Sequence, residues 1–399
     1  VLRGSAQLSD YPSFGYVHKE MGDVYCLLYA IFSENVSLEG EGCIDFNGNR
    51  FFNFKEPRSK IMQEKELTSE QLLQVEANYT VRTNQMLFFR KCCGVHVQGI
   101  RLENAACWGL VCSTCEEIHI SGLTMRFHRQ VPNADGIHLS ACKNAIVTDC
   151  DIVGGDDCIA ITCIDDWNEE SNNILVANCL LSSSSAGVRI GYWRSVVRNV
   201  QIQNCMIYEA NRGVCMMSCH SGLVENVHIN GLQVQTKSLI GTWWGSGEAV
   251  YICTLPHEAH IESDTIYCAE EKTVSVRNVS ISGLTATCEN GIVLVGERSN
   301  IEDVRFFDMR LTMTDWRCRD FYGAKLALRP SEEERTLPQD GAYWLLAEDV
   351  KELQFTQCKV QNDLKDLADK LYAKLCRCED TALLAQIDSC EKGKTLCIE

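Results

Sequence analysis

Proline is scarce in this chain, with six residues in 399. That scarcity suits long β-ladders, in which proline removes a backbone donor. No run of 18 or more apolar residues occurs, which leaves no candidate for a membrane-spanning helix. Basic clusters are also missing: 37 Lys and Arg face 54 Asp and Glu, for a formal charge of −17. Such a surface repels nucleic acid and anionic membranes, so neither is expected as a partner. The opening VLRGSAQLSDYPSFGYVHKE lacks the charged-then-apolar layout of a secretory signal.

Cysteine is abundant instead, at 24 residues. RKCCGV and the pairs Cys112/Cys115 and Cys376/Cys378 could suggest disulfides or zinc. Most others stand singly in apolar strands, as in TDCDI, ANCLL and QNCMI, and read as small buried thiols. So many reduced thiols point to a cytoplasmic setting, with secretion as the alternative.

One pattern recurs along most of the chain. It reads GVHVQGIRL from Gly94, EIHISGLTM from Glu117, NAIVTDCDI from Asn144 and NVQIQNCMI from Asn199, with later copies to ELQFTQCKV from Glu352. From Val95, the first apolar positions step by 23, 27, 29, 26, 27, 52, 25 and 49 residues. Period-two alternation predicts strands, and a unit of about 25 residues that cannot bury its faces alone predicts a stacked solenoid. The two longer steps are expected to hold two units each. Leucine-rich repeats share the period but need a consensus and a helix per unit that are not present. The fold class is therefore all-β, a right-handed parallel β-helix over 1–360. Residues 56–90, charged and helix-like, are expected as a surface insertion. Residues 361–399, with Leu and Ala at helical spacing, are expected as a short helical C-terminal cap that blocks the ladder edge.

A second strand in each unit can be stacked by its own pattern. DGIHL from Asp135, DCIAI from Asp157, AGVRI from Ala186 and RGVCM from Arg212 align on Ile137, Ile159, Val188 and Val214. Asp135, Asp157, Ala186 and Arg212 then form one column, and His138, Ala160, Arg189 and Cys215 another on the same outer face. Adjacent strands lie about 4.8 Å apart, so Asp135 and Asp157 become neighbours with Asp156 on the adjoining turn. Crowded carboxylates push one pKa up, giving a proton-holding acid beside an ionised base. That pairing is the minimum apparatus of glycoside hydrolysis.

At these residues the chain resembles glycoside hydrolase family 28, the polygalacturonase and rhamnogalacturonase group, which are right-handed parallel β-helices. The resemblance runs from VLRGSAQLSDYP to about residue 300. It is carried by NADG for the family's N-T-D-G, GGDDCIAI for its G/Q-D-D-C segment and SLEGEGCIDFNG upstream. It implies Asp156 as general acid, Asp135 and Asp157 as activators of water, inversion at the anomeric carbon, and no cofactor or metal. The family's G-H-G falls on SSSAGVRIG, with Ala186 for histidine, and its R-I-K on NRGVCMM, with Cys215 and Met217 for the two cations. In polygalacturonases those cations engage the sugar carboxylate, so another oligosaccharide, pectin-related or not, is expected as substrate. Asn133, His138, Arg189 and Arg212 are the expected polar contacts. Trp193, Trp243, Trp244 and Glu248 join them, since aromatic faces stack on sugar rings and the glycine-rich GTWWGSGEAVYI can fold over a cleft. Family members carry strands before the position matching VLRGS, so a second copy covering the first coil is a possible partner. Competing readings are a polysaccharide lyase holding Ca²⁺ on the aspartates with Arg189 as base, an intramolecular transferase, and a glycan-binding β-helix without catalysis.

Overall fold

A computed structural model of the chain describes residues 1–11, 13, 15–18, 22–54, 75–77, 82–164, 166, 168–219, 222–239, 244–256, 275–298, 300–365, 370–382 and 394–398. Three parallel sheets of ten, eleven and twelve strands wrap a single apolar interior, forming a right-handed parallel β-helix. One coil passes from Trp108–Ser113 in the twelve-stranded sheet to Glu116–Ser121 in the ten-stranded sheet. It then passes to Thr124–Arg126 in the eleven-stranded sheet before the chain returns to the first at Ile137–Ser140.

The repeat marks the coil. Val95, Ile118, Ala145, Ile174, Val200, Val227, Val279, Val304 and Leu353 are successive partners in the ten-stranded sheet. The asparagines that precede these residues have a physical reason. Asn144, Asn173, Asn199, Asn226 and Asn278 adopt left-handed backbone at φ 51–58°, a region that asparagine tolerates better than most residues. Their amides also bond from coil to coil: Asn173 Nδ2 donates to Asn144 Oδ1 at 3.0 Å, Asn226 to Asn199 at 3.0 Å and Asn278 to Asn226 at 2.7 Å.

Three expectations change. Val227 pairs directly with Val279, and Val304 with Leu353, so each long step is one coil carrying insertions, not two units. The second insertion, between Met313 and Gly341, holds the helix Arg319–Tyr322 and a hairpin of Lys325–Ala327 with Glu334–Thr336. Second, Gln85–Arg90, at the end of the expected insertion, is a strand of the solenoid paired to Trp108–Ser113. Val75–Ala77 pairs antiparallel to Phe52–Phe54, while 55–74 and 78–81 lie outside the described residues. Third, Lys370–Cys376 is a strand on Gly341–Glu348, and Lys394–Ile398 a strand on it in turn. Leu371, Ala373 and Leu375 alternate inward and are buried. Burying them against the open end of the solenoid outweighs their helical spacing.

From Cys26 to Cys378, every cysteine among the described residues is a free thiol, and most are buried. Many donate Sγ to a carbonyl two residues back, as Cys150, Cys179 and Cys205 do at 3.2–3.3 Å. They are core side chains that also satisfy turn carbonyls.

Candidate active site

The twelve-stranded sheet carries the acidic residues. Ile137, Ile159, Val188 and Val214 are paired coil to coil, as are His138, Ala160, Arg189 and Cys215. Two residues before Ile137 and Ile159 stand Asp135 and Asp157, and the Gly136 N–H donates to the Asp157 carbonyl at 2.9 Å. Both expected columns therefore exist. Asp156 sits on the turn between Asp151–Gly154 and Ile159–Thr162. That turn packs tightly: a Cβ on Gly155 would lie 2.2 Å from the Val131 carbonyl oxygen, so the chain can pass there only as glycine.

The three carboxyls are bound differently. Asp157 accepts a hydrogen bond from Arg189 Nε, and its Oδ1 accepts one from the Ala186 N–H at 3.1 Å. Asp135 Oδ2 lies 3.7 Å from Arg189 Nη2 and 3.3 Å from His138 Nδ1. His138 Nε2 is 2.9 Å from Thr162 Oγ1. Asp156 is touched by backbone, its Oδ2 by the Asn133 N–H at 3.2 Å and its Oδ1 by the Asp157 N–H at 3.0 Å. Burial, then the charges of Asp157 and Asp135, hold the Asp156 carboxyl well above the usual carboxylate range, against Arg189 and the Ser185 hydroxyl. Burial alone would lower the Arg189 pKa, but Asp157, Asp135 and Asp156 outweigh it and keep the guanidinium charged. One carboxyl thus holds its proton beside two that share a cation.

A cleft of about 220 Å³ opens onto this cluster. Asp135, Asp156, Asp157 and Arg189 form its charged wall, and Trp108, Pro132, Asn133, Ile164, Tyr192 and Trp244 complete it. Tyr192 and Trp244 are stacked, with ring centroids 6.0 Å apart. Of the expected sugar contacts, Asn133, Arg189 and Trp244 line the cleft. His138 is fully buried behind Asp135 and orients it without reaching the opening. Trp193 is half-buried under the Arg194 guanidinium, 5.8 Å from its ring centroid, and is not part of the lining. Trp243 lies outside the described residues.

Arg212 and Glu248 are corrected. Both are buried, with Arg212 Nε 3.5 Å from Glu248 Oε2 and the guanidinium 3.4 Å from the Tyr251 ring centroid. Arg212 donates to the carbonyls of Arg329 at 3.1 Å and Ala327 at 3.4 Å, and Glu248 accepts from the Ser246 N–H at 2.7 Å. The second insertion has covered this part of the column, so these charges face protein and not a ligand. Cys215 and Met217 are buried in the apolar cluster beneath the same cover.

Sequence reasoning missed Trp108, Pro132, Ile164 and Arg82. Trp108 was within reach: Leu110 pairs with Ile137, so one more coil backward puts Trp108 in the position of Asp135. Arg82 lay in the segment read as an insertion. Its Nη1 donates to the Ala106 and Pro132 carbonyls at 2.9 and 2.8 Å, and its Nη2 to Asn133 Oδ1 at 3.0 Å. It thereby holds the left-handed Asn133, at φ 56°, whose N–H meets Asp156.

Comparison with known proteins bears on this arrangement. The family model of glycosyl hydrolases family 28 matches residues 14–241. The chain is 28% identical over 240 residues to a polygalacturonase of Cryptomeria japonica, covering 55% of this chain and 41% of that one. It is 30% identical over 259 residues to a polygalacturonase of Chamaecyparis obtusa, covering 58% and 45%. It therefore spans less than half the length of these relatives. Among solved structures, the family 28 exopolygalacturonase of Yersinia enterocolitica superposes with a TM-score of 0.61 at 14% identity, over 97% of this chain and 68% of the other, a likeness of fold. With a model match over more than half its length, on the segment that holds all three aspartates, the chain belongs to glycosyl hydrolases family 28.

Proposed function

We propose that this chain hydrolyses a glycosidic bond of a pectin-related or other oligosaccharide by single displacement, with inversion at the anomeric carbon. The observation that carries the reading is the unequal state of the three aspartates. Asp156 keeps its proton to higher pH than an ordinary carboxyl, while Arg189 lies against Asp157 and close to Asp135. A general acid must hold a proton at working pH, and a base must have lost one.

Asp156 donates its proton to the glycosidic oxygen, and the electrons of the breaking C–O bond leave with that oxygen. Water attacks the anomeric carbon from the opposite face and passes its proton to Asp157 or Asp135. Arg189 lies against Asp157 and close to Asp135, and His138 with Thr162 fixes the Asp135 carboxylate. Membership of the family and the polygalacturonase names of the relatives support the reading.

Asp156→Asn tests it. The amide oxygen can still accept one of the two backbone N–H groups, so the fold should persist while turnover drops roughly 10²–10⁴-fold. Turnover is read by product release, and inversion by NMR of the first anomer formed. Full activity in this variant would refute the assignment. The sign of the linkage gives a second check. A carboxyl whose folded pKa is raised contributes stability below its unfolded pKa, lost as pH rises through the folded value. Asparagine has no such loss, so the variant should gain in melting temperature over the native chain as pH rises.

A further inference from the structure

We propose that the sugar ring held against the three aspartates is uncharged, so that a free uronate is a poor occupant of this cleft. The inference rests on the hydrolase reading for what happens to the bond, but on the cleft's charge and walls for which ring binds.

Of the described residues that line the cleft, three are acidic and one is basic. The basic one, Arg189, is already engaged, with Nε on Asp157 and Nη2 3.7 Å from Asp135. Even with a proton on Asp156, two carboxylates face one guanidinium, and the wall stays negative. A uronate carboxylate entering here meets repulsion in a partly desolvated space, where charge interactions are stronger than in water.

Among the described residues, the next coils bring no further cation to the lining. Beyond Arg189 the same outward column continues as Cys215, Tyr251 and Val293, all buried. Arg212, the nearest cation of the aspartate column, is spent on Glu248 and on two carbonyls of the covering insertion. The overall charge of −17 adds repulsion at longer range.

The remaining walls suit an uncharged ring. Trp108, Ile164 and the stacked pair of Tyr192 and Trp244 line it beside Pro132 and Asn133. Aromatic faces take the C–H surface of a pyranose and need no charge to do so. At about 220 Å³ the space is below the roughly 300 Å³ at which pockets for drug-sized ligands begin, so it fits one ring.

The test compares trigalacturonate with its methyl ester, which keeps every linkage and removes the charge. A panel of methyl glycosides of galactose, rhamnose, xylose and glucose is measured alongside. Binding to the full chain is read by tryptophan fluorescence, since Trp108 and Trp244 line the cleft, and turnover by reducing-end release. The expected result is that the ester binds at least about tenfold tighter than the acid, with the gap narrowing as salt is added. Acid bound or cleaved as well as the ester overturns the inference, as does failure of every uncharged sugar to perturb the fluorescence. If the ester is preferred but Asp156→Asn cleaves as fast as the native chain, the proposed acid falls and the neutral-ring inference stands.

Discussion

Asp135 and Asp157 occupy the same ladder position as Arg212 and Glu248 a few coils later, and the two pairs live in different surroundings. The first pair opens on a cleft and shares Arg189. The second is sealed, with Arg212 and Glu248 held against each other beneath the insertion between Met313 and Gly341. Both sets of charges stand on a sheet that the solenoid would repeat indefinitely. What separates chemistry from scaffolding is the cover. Where the insertion lies over the column, charge is neutralised and every donor is turned toward protein. Where it does not, an acidic cluster is left with less cation than it needs, and one carboxyl keeps a proton.

The sealed pair can be broken directly. Arg212→Met leaves Glu248 buried without its cation, which should cost about 3–5 kcal/mol in a urea unfolding curve. Adding Glu248→Gln should recover much of that loss. The folded fraction should keep its turnover, because neither residue lines the cleft. Loss of activity in the folded double variant would show that the sealed region matters to chemistry after all.

A smaller effect probes how the cover is fastened. Glu289, beside the same column, is buried and accepts from the Ser238 N–H at 2.7 Å and from Arg317 Nε at 2.9 Å, tying two insertions to one coil. Burial pushes its pKa up from 4.5 to about 7, against the bonds from Ser238 and Arg317. A raised carboxyl stabilises the fold below its unfolded pKa, and that contribution is lost as pH rises. Stability should therefore fall by roughly 3 kcal/mol between pH 4.5 and 7. Melting curves against pH should flatten across that window in Glu289→Gln, and an unchanged slope would count against this role.

The gentlest test sharpens the open side. Arg82→Met frees Asn133 from its clamp, and kcat should drop about tenfold with KM little changed. Arg82→Lys should restore only part of it, since one ammonium cannot reproduce the fork that now serves three acceptors. Equal falls in kcat and melting temperature across both variants would mark Arg82 as structural only.

How much of this was legible follows from the nature of the signals. The coil register was readable from Val95 to Leu353, because inward and outward residues alternate and parallel stacking repeats that alternation at every coil. The aspartate column came with it, as did the Arg189 position. Trp108 was equally readable by carrying the column one coil back. The strand at Lys370–Cys376 was not, since Leu and Ala there satisfy a helical spacing and an alternating one. Nor were the long steps: the spacing from Val227 to Val279 suits two coils as well as one coil with insertions.

The amino-acid sequence by itself determined that this chain is a parallel β-helix and that Asp135, Asp156 and Asp157 meet on its outer face. Both follow from local periodicity, which repeats at each turn of the solenoid. Only the tertiary structure decided that Arg189 is held by aspartates, that Arg212 and Glu248 face protein, and that Arg82 reaches Asp156 through Asn133. Those outcomes depend on where long insertions fold back, and on burial and charge shared between residues far apart in the chain. No spacing encodes them.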